Sequence, residues 1–494
     1  MDVHVQIESR GDRADRIYRQ LRDAIRDGRL RRGERLPASR DLASQLAVSR
    51  TTVTVAYERL TAEGYLASKV GSGTYVAATG APSTVASRRA AGRGDSPHAG
   101  RHAGALPRRH WRHIDDPLWT EPLPIAYDFS VGTPDPALFP IEQWRRLVAG
   151  ELRGGILRSA HYADPAGLKR LREALARHLG VARSVDAAAD DVLITSGAQQ
   201  AFDLIARILV DPGDLVAVED PGYPPVRQLF ETLGARVVPV PVDEHGIRVD
   251  SLPPRARLVY TTPSHQFPTG AVLSLERRTA LLSWASANDA VIIEDDYDSE
   301  YRFGDRPLDP LQSLDGEGRV VYVGTFSKTM LPALRLGFLI APASLMPALR
   351  SAKRLTDWHN DYLTQAAMAR FIDSGGFARH VRQATKAYGA RQRSIAAHVE
   401  SLLGESMRVV PSVAGLHLCV VPADASIPFD AARVVADAAA SGVAVQALSR
   451  FTLGHGAPDG LLLGFGSIAE ADVPDGLRLL SRAIARSAHP QPAG

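Results

Sequence analysis

Cysteine is all but absent from this chain: Cys419 stands alone among 494 residues. A single thiol excludes an intrachain disulfide and a cysteine-built metal cluster, and no metal site is expected. Aromatic residues make up only 6%, against 45% hydrophobic and 23% charged, so the apolar share is mostly Ala, Val and Leu, enough for ordinary globular cores. No run approaches the roughly 18 consecutive apolar residues of a membrane span. The opening residues, from Met1 to Arg10, show no basic-then-apolar segment of the secretory kind. No internal repeat is visible. These absences predict a soluble, cytoplasmic protein of about two to four domains, at roughly 100–200 residues each.

Lysine is scarce too. Lys69, Lys169, Lys328, Lys353 and Lys386 are the only five, against 53 arginines, so each can be questioned singly. The net charge of +3 conceals an asymmetry. Residues 1–115 carry 21 Lys+Arg and 12 Asp+Glu, a balance of +9, whereas 116–494 carry 37 and 43, a balance of −6. A basic front on an acidic body implies that only the front meets a polyanion.

Within that front, residues 13–27 set Ile17, Leu21, Ala24 and Ile25 at helical spacing, and Gly28 and Gly33 break it. Pro37-Ala38-Ser39 offers Ser39 as the N-cap of a short helix reaching about Leu46. After the tight turn Ala47-Val48-Ser49, Ser49 caps a third helix over about Arg50–Glu63, which Gly64 ends. Tyr65–Val76 alternates as a hairpin with its tip at Gly71-Ser72-Gly73. This is the order of a winged helix-turn-helix. Arg50, Thr51, Thr52 and Thr54 open the third helix, whose first turn meets base edges in major-groove docking. Arg40, beside Ser39, is placed for a phosphate, and Lys69 with the wing tip for the neighbouring minor groove. A helical protein-interaction unit with a solvated arginine face would share this outline. The runs Gly33-Glu34-Arg35-Leu36-Pro37-Ala38-Ser39-Arg40, Val48-Ser49-Arg50-Thr51-Thr52-Val53 and Gly71-Ser72-Gly73-Thr74-Tyr75-Val76 go further. They resemble the GntR-type winged helix over about residues 12–77. The resemblance implies that residues 1–78 bind a double-stranded DNA operator.

Residues 79–122 are rich in Ala, Gly, Ser, Pro, Arg and His without an apolar period, which reads as a flexible linker. From about Tyr127, apolar runs alternate with amphipathic helices: Val192–Thr195, Leu215–Glu219, Val237–Val240, Leu258–Thr261, Val291–Glu294, Val320–Val323 and Gly337–Ala341. Short, continuously apolar strands separated by helices predict an α/β sheet buried on both faces.

Three segments of this region carry chemistry. Thr195-Ser196-Gly197-Ala198-Gln199-Gln200 follows a strand and opens a helix, and helix N-termini hold phosphate. Val291-Ile292-Ile293-Glu294-Asp295-Asp296-Tyr297 ends a buried strand in acids; such a carboxylate can hold a pyridinium N–H, though a hydrated Asp pair would look alike. Val321-Tyr322-Val323-Gly324-Thr325-Phe326-Ser327-Lys328 puts a lysine just past an apolar strand, where burial lowers the amine pKa as a Schiff base requires. A snorkelling surface lysine is the plainer alternative. Together the segments resemble fold-type I aminotransferases of the aminoadipate and kynurenine branch, over about residues 127–480.

That resemblance implies pyridoxal 5'-phosphate (PLP) as cofactor, in a large α/β domain followed by a small C-terminal domain. It makes Lys328 the Schiff-base lysine, Asp295 the partner of the ring nitrogen, Tyr297 the contact of the phenolic oxygen and Tyr223 the stacking aromatic. Ala198, Gln199, Thr325, Ser327 and Arg335 would line the phosphate, and Tyr162 would reach it from a second subunit. Two departures weaken ordinary transamination. Phe267-Pro268-Thr269-Gly270 lacks the family's asparagine before proline, for which His265 or Gln266 could substitute. The arginine that clamps a substrate carboxylate is missing near Leu462, with Arg450 as the nearest replacement; a bidentate clamp supplies much of a substrate's orientation.

A GntR-type winged helix joined by a linker to an aminotransferase-like domain over 123–494 resembles the MocR/GabR regulators. The resemblance implies a head-to-tail, domain-swapped homodimer whose PLP-bearing core senses an amine, an amino acid or PLP itself, with Arg450 and His265 as effector contacts. The rival reading is an active aminotransferase with a DNA-binding appendage.

Overall fold

The computed structural model describes residues 13–69, 73–77, 125–156, 161–303, 309–424, 426–427, 429–454 and 459–488. The chain divides into two compact units, within 1–105 and 106–494. The expected linker over 79–122 and two residues of the expected wing tip, Gly71 and Ser72, lie outside the described residues; the third, Gly73, opens a strand.

In the first unit, α1 (Arg13–Arg26), α2 (Ser39–Gln45) and α3 (Arg50–Ala62) precede an antiparallel pair, β1 (Leu66–Lys69) and β2 (Gly73–Val76), with Leu66 opposite Val76. Val53, Ala56, Tyr57 and Leu60 recur on the inner face of α3 and pack against Ile17, Leu21 and Ile25 of α1 in one core. Burying each large aliphatic side chain contributes about 1.5–3 kcal/mol, which is how so small a unit holds together. Ser49 caps α3 as expected: its Oγ accepts the Thr52 N–H at 3.1 Å. Ser39 does not cap α2. Ala38 occupies the N-cap in an extended conformation without a side-chain bond, and its carbonyl takes the amides of Asp41 and Leu42. The helix therefore begins at Ser39, one residue earlier than a serine cap would place it. Arg59 is structural: it lies over the Tyr18 ring at 3.8 Å and pairs with Asp15 at 2.9 Å, tying α3 to α1.

The second unit begins with β3 (Tyr127–Asp128), α4 (Ile141–Gly154) and α5 (Lys169–Arg183). Strands and helices then alternate: β4 (Val192–Thr195), α6 (Ala198–Leu209), β5 (Leu215–Asp220), α7 (Pro224–Thr232), β6 (Arg236–Asp243), β7 (Gly246–Ile247), β8 (Leu258–Thr261), α8 (Leu275–Ala287), β9 (Val291–Asp296), α9 (Leu311–Leu314), β10 (Val320–Thr325) and β11 (Gly337–Ile340). They form one sheet in the order β4-β11-β10-β9-β8-β5-β6-β7. Neighbours from β10 to β6 run parallel, while β11 is antiparallel to both β10 and β4. Every residue of β4, β8, β9, β10 and β11 is buried, the two-faced burial that the apolar runs predicted.

Next, α10 (Met346–Thr356) packs on α6 and α11 (Tyr362–Asp373) on α4 and α5, still covering the large sheet. A smaller layer follows: α12 (Gly376–Leu403), β12 (Met407–Val409), β13 (His417–Pro422), α13 (Ala431–Ala440), β14 (Val443–Ala444), β15 (Gln446–Ala447), β16 (Leu461–Gly464) and α14 (Val473–Ala488). Its sheet runs β12-β13-β16-β15. The start of the unit returns to this layer. β3 pairs with β14, and the Gly464 N–H donates to the Phe129 carbonyl at 2.7 Å. That return carries Val131 and Gly132 to the residues that follow β10.

Candidate functional site

At the carboxyl ends of the parallel strands, where open α/β sheets hold ligands, a cavity of about 350 Å³ opens between the large sheet and the small layer. Nine of the residues expected at a cofactor line it: Ala198, Gln199, Tyr223, Asp295, Tyr297, Thr325, Ser327, Lys328 and Arg335.

Lys328 follows β10 and is half-buried at the cavity wall. Its Nζ donates to the Gly132 carbonyl at 2.7 Å. Burial pulls the amine below the usual lysine range, with Asp298 and Asp295 pushing it partly back. Gly132 has φ +75°, and a Cβ there would stand 2.9 Å from the lysine nitrogen. The positive φ favours glycine, and a side chain there would push the lysine nitrogen from its place.

Asp295 ends β9. Tyr260 on the adjacent β8 donates to its Oδ2 at 2.6 Å, while Oδ1 is buried without a hydrogen-bond partner. Burial raises the carboxyl to about 7, against the Tyr260 bond and with help from Asp296, Asp298 and Glu219. Tyr223 precedes α7, and burial pushes its hydroxyl up to about 12.

At the other end of the cavity, Gly197 takes φ +79° and opens α6, and a Cβ on it would lie 3.4 Å from the Arg335 guanidinium. The Arg335 guanidinium donates to the Ser196 carbonyl at 2.5 Å, and Thr325 Oγ1 donates to Ser327 Oγ at 3.0 Å. Free helix amides, two hydroxyls and a guanidinium around one small space form an anion cradle. An orphaned buried carboxylate oxygen, a desolvated amine and this cradle are the complement of a pyridine ring bearing an aldehyde and a phosphate, so the residues present fit PLP.

His265 does not line the cavity. It sits behind Tyr297, whose hydroxyl is 2.9 Å from His265 Nδ1, and Asp298 Oδ2 lies 3.0 Å from the same nitrogen. Its Nε2 is 3.0 Å from Ser412 Oγ. Gln266 turns away toward Glu219 and the Pro221 and Phe267 carbonyls. Neither side chain takes the missing asparagine's place in the wall; Phe267 itself does, edge-on to Tyr223 and Phe451. His265, Asp298 and His417 bring ligand-type atoms within 4.8 Å of one another. These atoms already serve hydrogen bonds, His417 Nε2 to the Pro268 carbonyl at 3.0 Å among them. Burial drives the His417 ring down to about 3, so it is neutral.

Arg450 is half-buried on a 3-10 turn and is not among the cavity-lining residues; its neighbour Phe451 is. Tyr162 is 75% exposed, away from this cavity, with its ring 4.5 Å from that of Trp358. The sequence reading missed Gly132, Tyr260, Asp298, His417 and Gln446, all of which belong to the site.

In the first unit Arg40, Arg50 and Thr51 are exposed and Ser39, Thr52 and Thr54 half-buried. Thr52 Oγ1 lies 2.7 Å from Ser49 Oγ, and Thr54 donates back to the Arg50 carbonyl at 3.0 Å. Arg50 thus stands at the open first turn of α3. The side chain of Lys69 lies outside the described residues.

The chain matches the bacterial regulatory proteins of the gntR family over residues 13–76 and aminotransferase class I and II over residues 128–462. It is 36% identical over 469 residues to the probable rhizopine catabolism regulatory protein MocR of Rhizobium meliloti, spanning 95% of this chain and 93% of that one. To the HTH-type pyridoxine biosynthesis transcriptional regulator PdxR of Corynebacterium glutamicum it is 34% identical over 456 residues, 91% of each chain. The crystal structure of Pyrococcus horikoshii kynurenine aminotransferase resembles it with a TM-score of 0.68 and 29% identity, covering 74% of this chain and 91% of that one. Both units therefore agree, and the chain belongs to the MocR family of DNA-binding transcriptional regulators, a GntR-type winged helix fused to an aminotransferase class I and II domain.

Proposed function

We propose that the chain binds PLP in the cavity beneath Tyr223, reads an operator with α3, and changes its hold on DNA when a small amine, an amino acid or PLP itself occupies the core. The observation that carries this is Asp295: a buried carboxylate oxygen without a partner, facing a cavity that also holds a desolvated lysine. The kynurenine aminotransferase of similar fold was solved in complex with PMP, which supports the same cofactor class here.

Each residue has a definite task. Lys328, kept uncharged by burial more readily than a surface lysine, offers its amine to the cofactor aldehyde while the Gly132 carbonyl aims it. Asp295, steadied by Tyr260, receives the ring N–H. Tyr223 covers the ring, and Tyr297 presents its hydroxyl to the ring oxygen with His265 and Asp298 bracing it from behind. The α6 amides, Thr325, Ser327 and Arg335 hold the phosphate. Tyr162, exposed on its own subunit, would reach the phosphate in a second copy of the chain, making the working form a head-to-tail homodimer. Bound there, PLP supplies an electrophilic carbonyl and an electron-withdrawing ring to an entering amine. A ligand then shifts the protein only through its unequal affinity for two states, a coupling typically about 1–3 kcal/mol.

The test is operator binding by full-length protein loaded with PLP, with and without candidate amines. Ligand-dependent affinity without turnover supports the regulator; steady keto-acid release from an amino donor would favour the aminotransferase reading.

A further inference from the structure

The cavity has two unlike sides. The large sheet contributes the polar groups: Arg335, the α6 N-terminal turn, Thr325, Ser327 and Lys328. The return segment and the small layer contribute Val131, Leu416, His417, Gln446 and Phe451, with Phe267 beside them. Behind this second side the packing remains apolar. Cys419, Val421, Leu448 and Leu462 form one buried cluster with Phe451, and Val131 and Phe267 pack against it. Leu462, the position at which related aminotransferases are expected to carry an arginine, is fully buried there. His417 brings no charge, since burial holds its ring neutral. One polar atom on this side is unspent: Gln446 Oε1 is buried without a hydrogen-bond partner.

We infer that the core's ligand is a primary amine whose far end is uncharged, an apolar stem ending in a hydroxyl or amide, and that Gln446 recognises that end. The inference rests on the proposed function and names the ligand class of the same site. A carboxylate placed against Val131, Leu416 and Phe451 would lose its hydration with no cation among the described residues of that side to pair with it. Asp295 and Asp298 already bring two carboxylates to the cavity wall. An amide both donates and accepts, so Gln446 satisfies a hydroxyl or an amide whichever way its terminal group is turned.

The experiment uses the full-length protein loaded with PLP, uptake being followed first by visible absorbance. Calorimetric titration then compares γ-aminobutyrate with its alcohol and amide counterparts, γ-aminobutanol and γ-aminobutyramide, which share its length and amine. The neutral pair is expected to bind about tenfold more tightly or better. Gln446→Leu should weaken both neutral ligands about threefold to tenfold relative to butylamine, which lacks the terminal group. Gln446→Arg should reverse the order in favour of the carboxylate, and this reads as a ratio on one sample, independent of how much protein folds. Failure to take up PLP would remove the proposed function itself. Uptake with γ-aminobutyrate bound as tightly as the neutral pair overturns only this inference, as does a loaded protein that binds none of the three.

Discussion

Tyr260 holds one oxygen of Asp295 at 2.6 Å and leaves the other, equally buried, with nothing to bond. Tyr260 of β8 lies opposite Ile293 of β9, two residues before Asp295 on the same face, and its diagonal bond fixes the direction of the empty oxygen. A carboxyl so placed keeps its proton to about 7 instead of its ordinary 3.8, mainly because burial penalises the charge.

That shift has a sign. Between about pH 4 and pH 7 the folded, cofactor-free protein holds a proton that the unfolded chain has released, so stability falls as pH rises through that window. The melting temperature of the cofactor-free protein should therefore drop from about pH 5 to about pH 8, and Asp295→Asn should make the drop shallower. Glu294 and Glu300, also raised to about 7 chiefly by burial, retain part of the slope. Equal slopes in the two proteins would contradict the assignment.

Lys328→Ala should abolish the PLP adduct that borohydride fixes in the wild type, while leaving thermal unfolding cooperative. Mass spectrometry of the reduced protein decides it: a mass gain of one reduced cofactor on the variant would place the covalent link elsewhere.

Arg50→Ala should weaken operator binding by about 1–3 kcal/mol if the side chain makes a bidentate base contact. Measured at fixed salt, an unchanged affinity would transfer the reading to another residue of the α3 turn.

Ser49→Ala removes the acceptor for the Thr52 N–H. It should cost the winged helix about 1 kcal/mol, as N-cap losses typically do, measured by urea unfolding of residues 1–78. A loss below about 0.3 kcal/mol would mean that water satisfies that amide equally well.

Much of the fold was legible because its signals are local. Gly64 ends α3, Ser49 begins it, and runs such as Val291–Glu294 are apolar throughout because both faces of their strand are covered. Lys328 was legible for a similar reason, one lysine of five immediately after such a strand. The rest depends on residues that meet only in space. Tyr260 finds Asp295 across two strands, and Ser412 reaches His265 from 147 positions away. No spacing in the chain announces either. Arg450 shows the finer limit: on a 3-10 turn, it is the neighbouring Phe451 that lines the cavity, and charge alone did not reveal which. The short strands of the small layer escaped because two to six residues carry too little period to be seen.

The placing of β11 between β10 and β4 also sets an order of birth. The ladder partner of β4, finished at Thr195, is β11, which ends at Ile340. On the ribosome that edge of the sheet must wait, exposed, while the intervening strands and helices are made. The first unit has no such delay, since its hairpin closes by Val76. Newly made chains therefore pass through a stage in which the winged helix is complete and the aminotransferase-like unit is not, and a nascent chain interrupted before Gly337 would carry the first without the second.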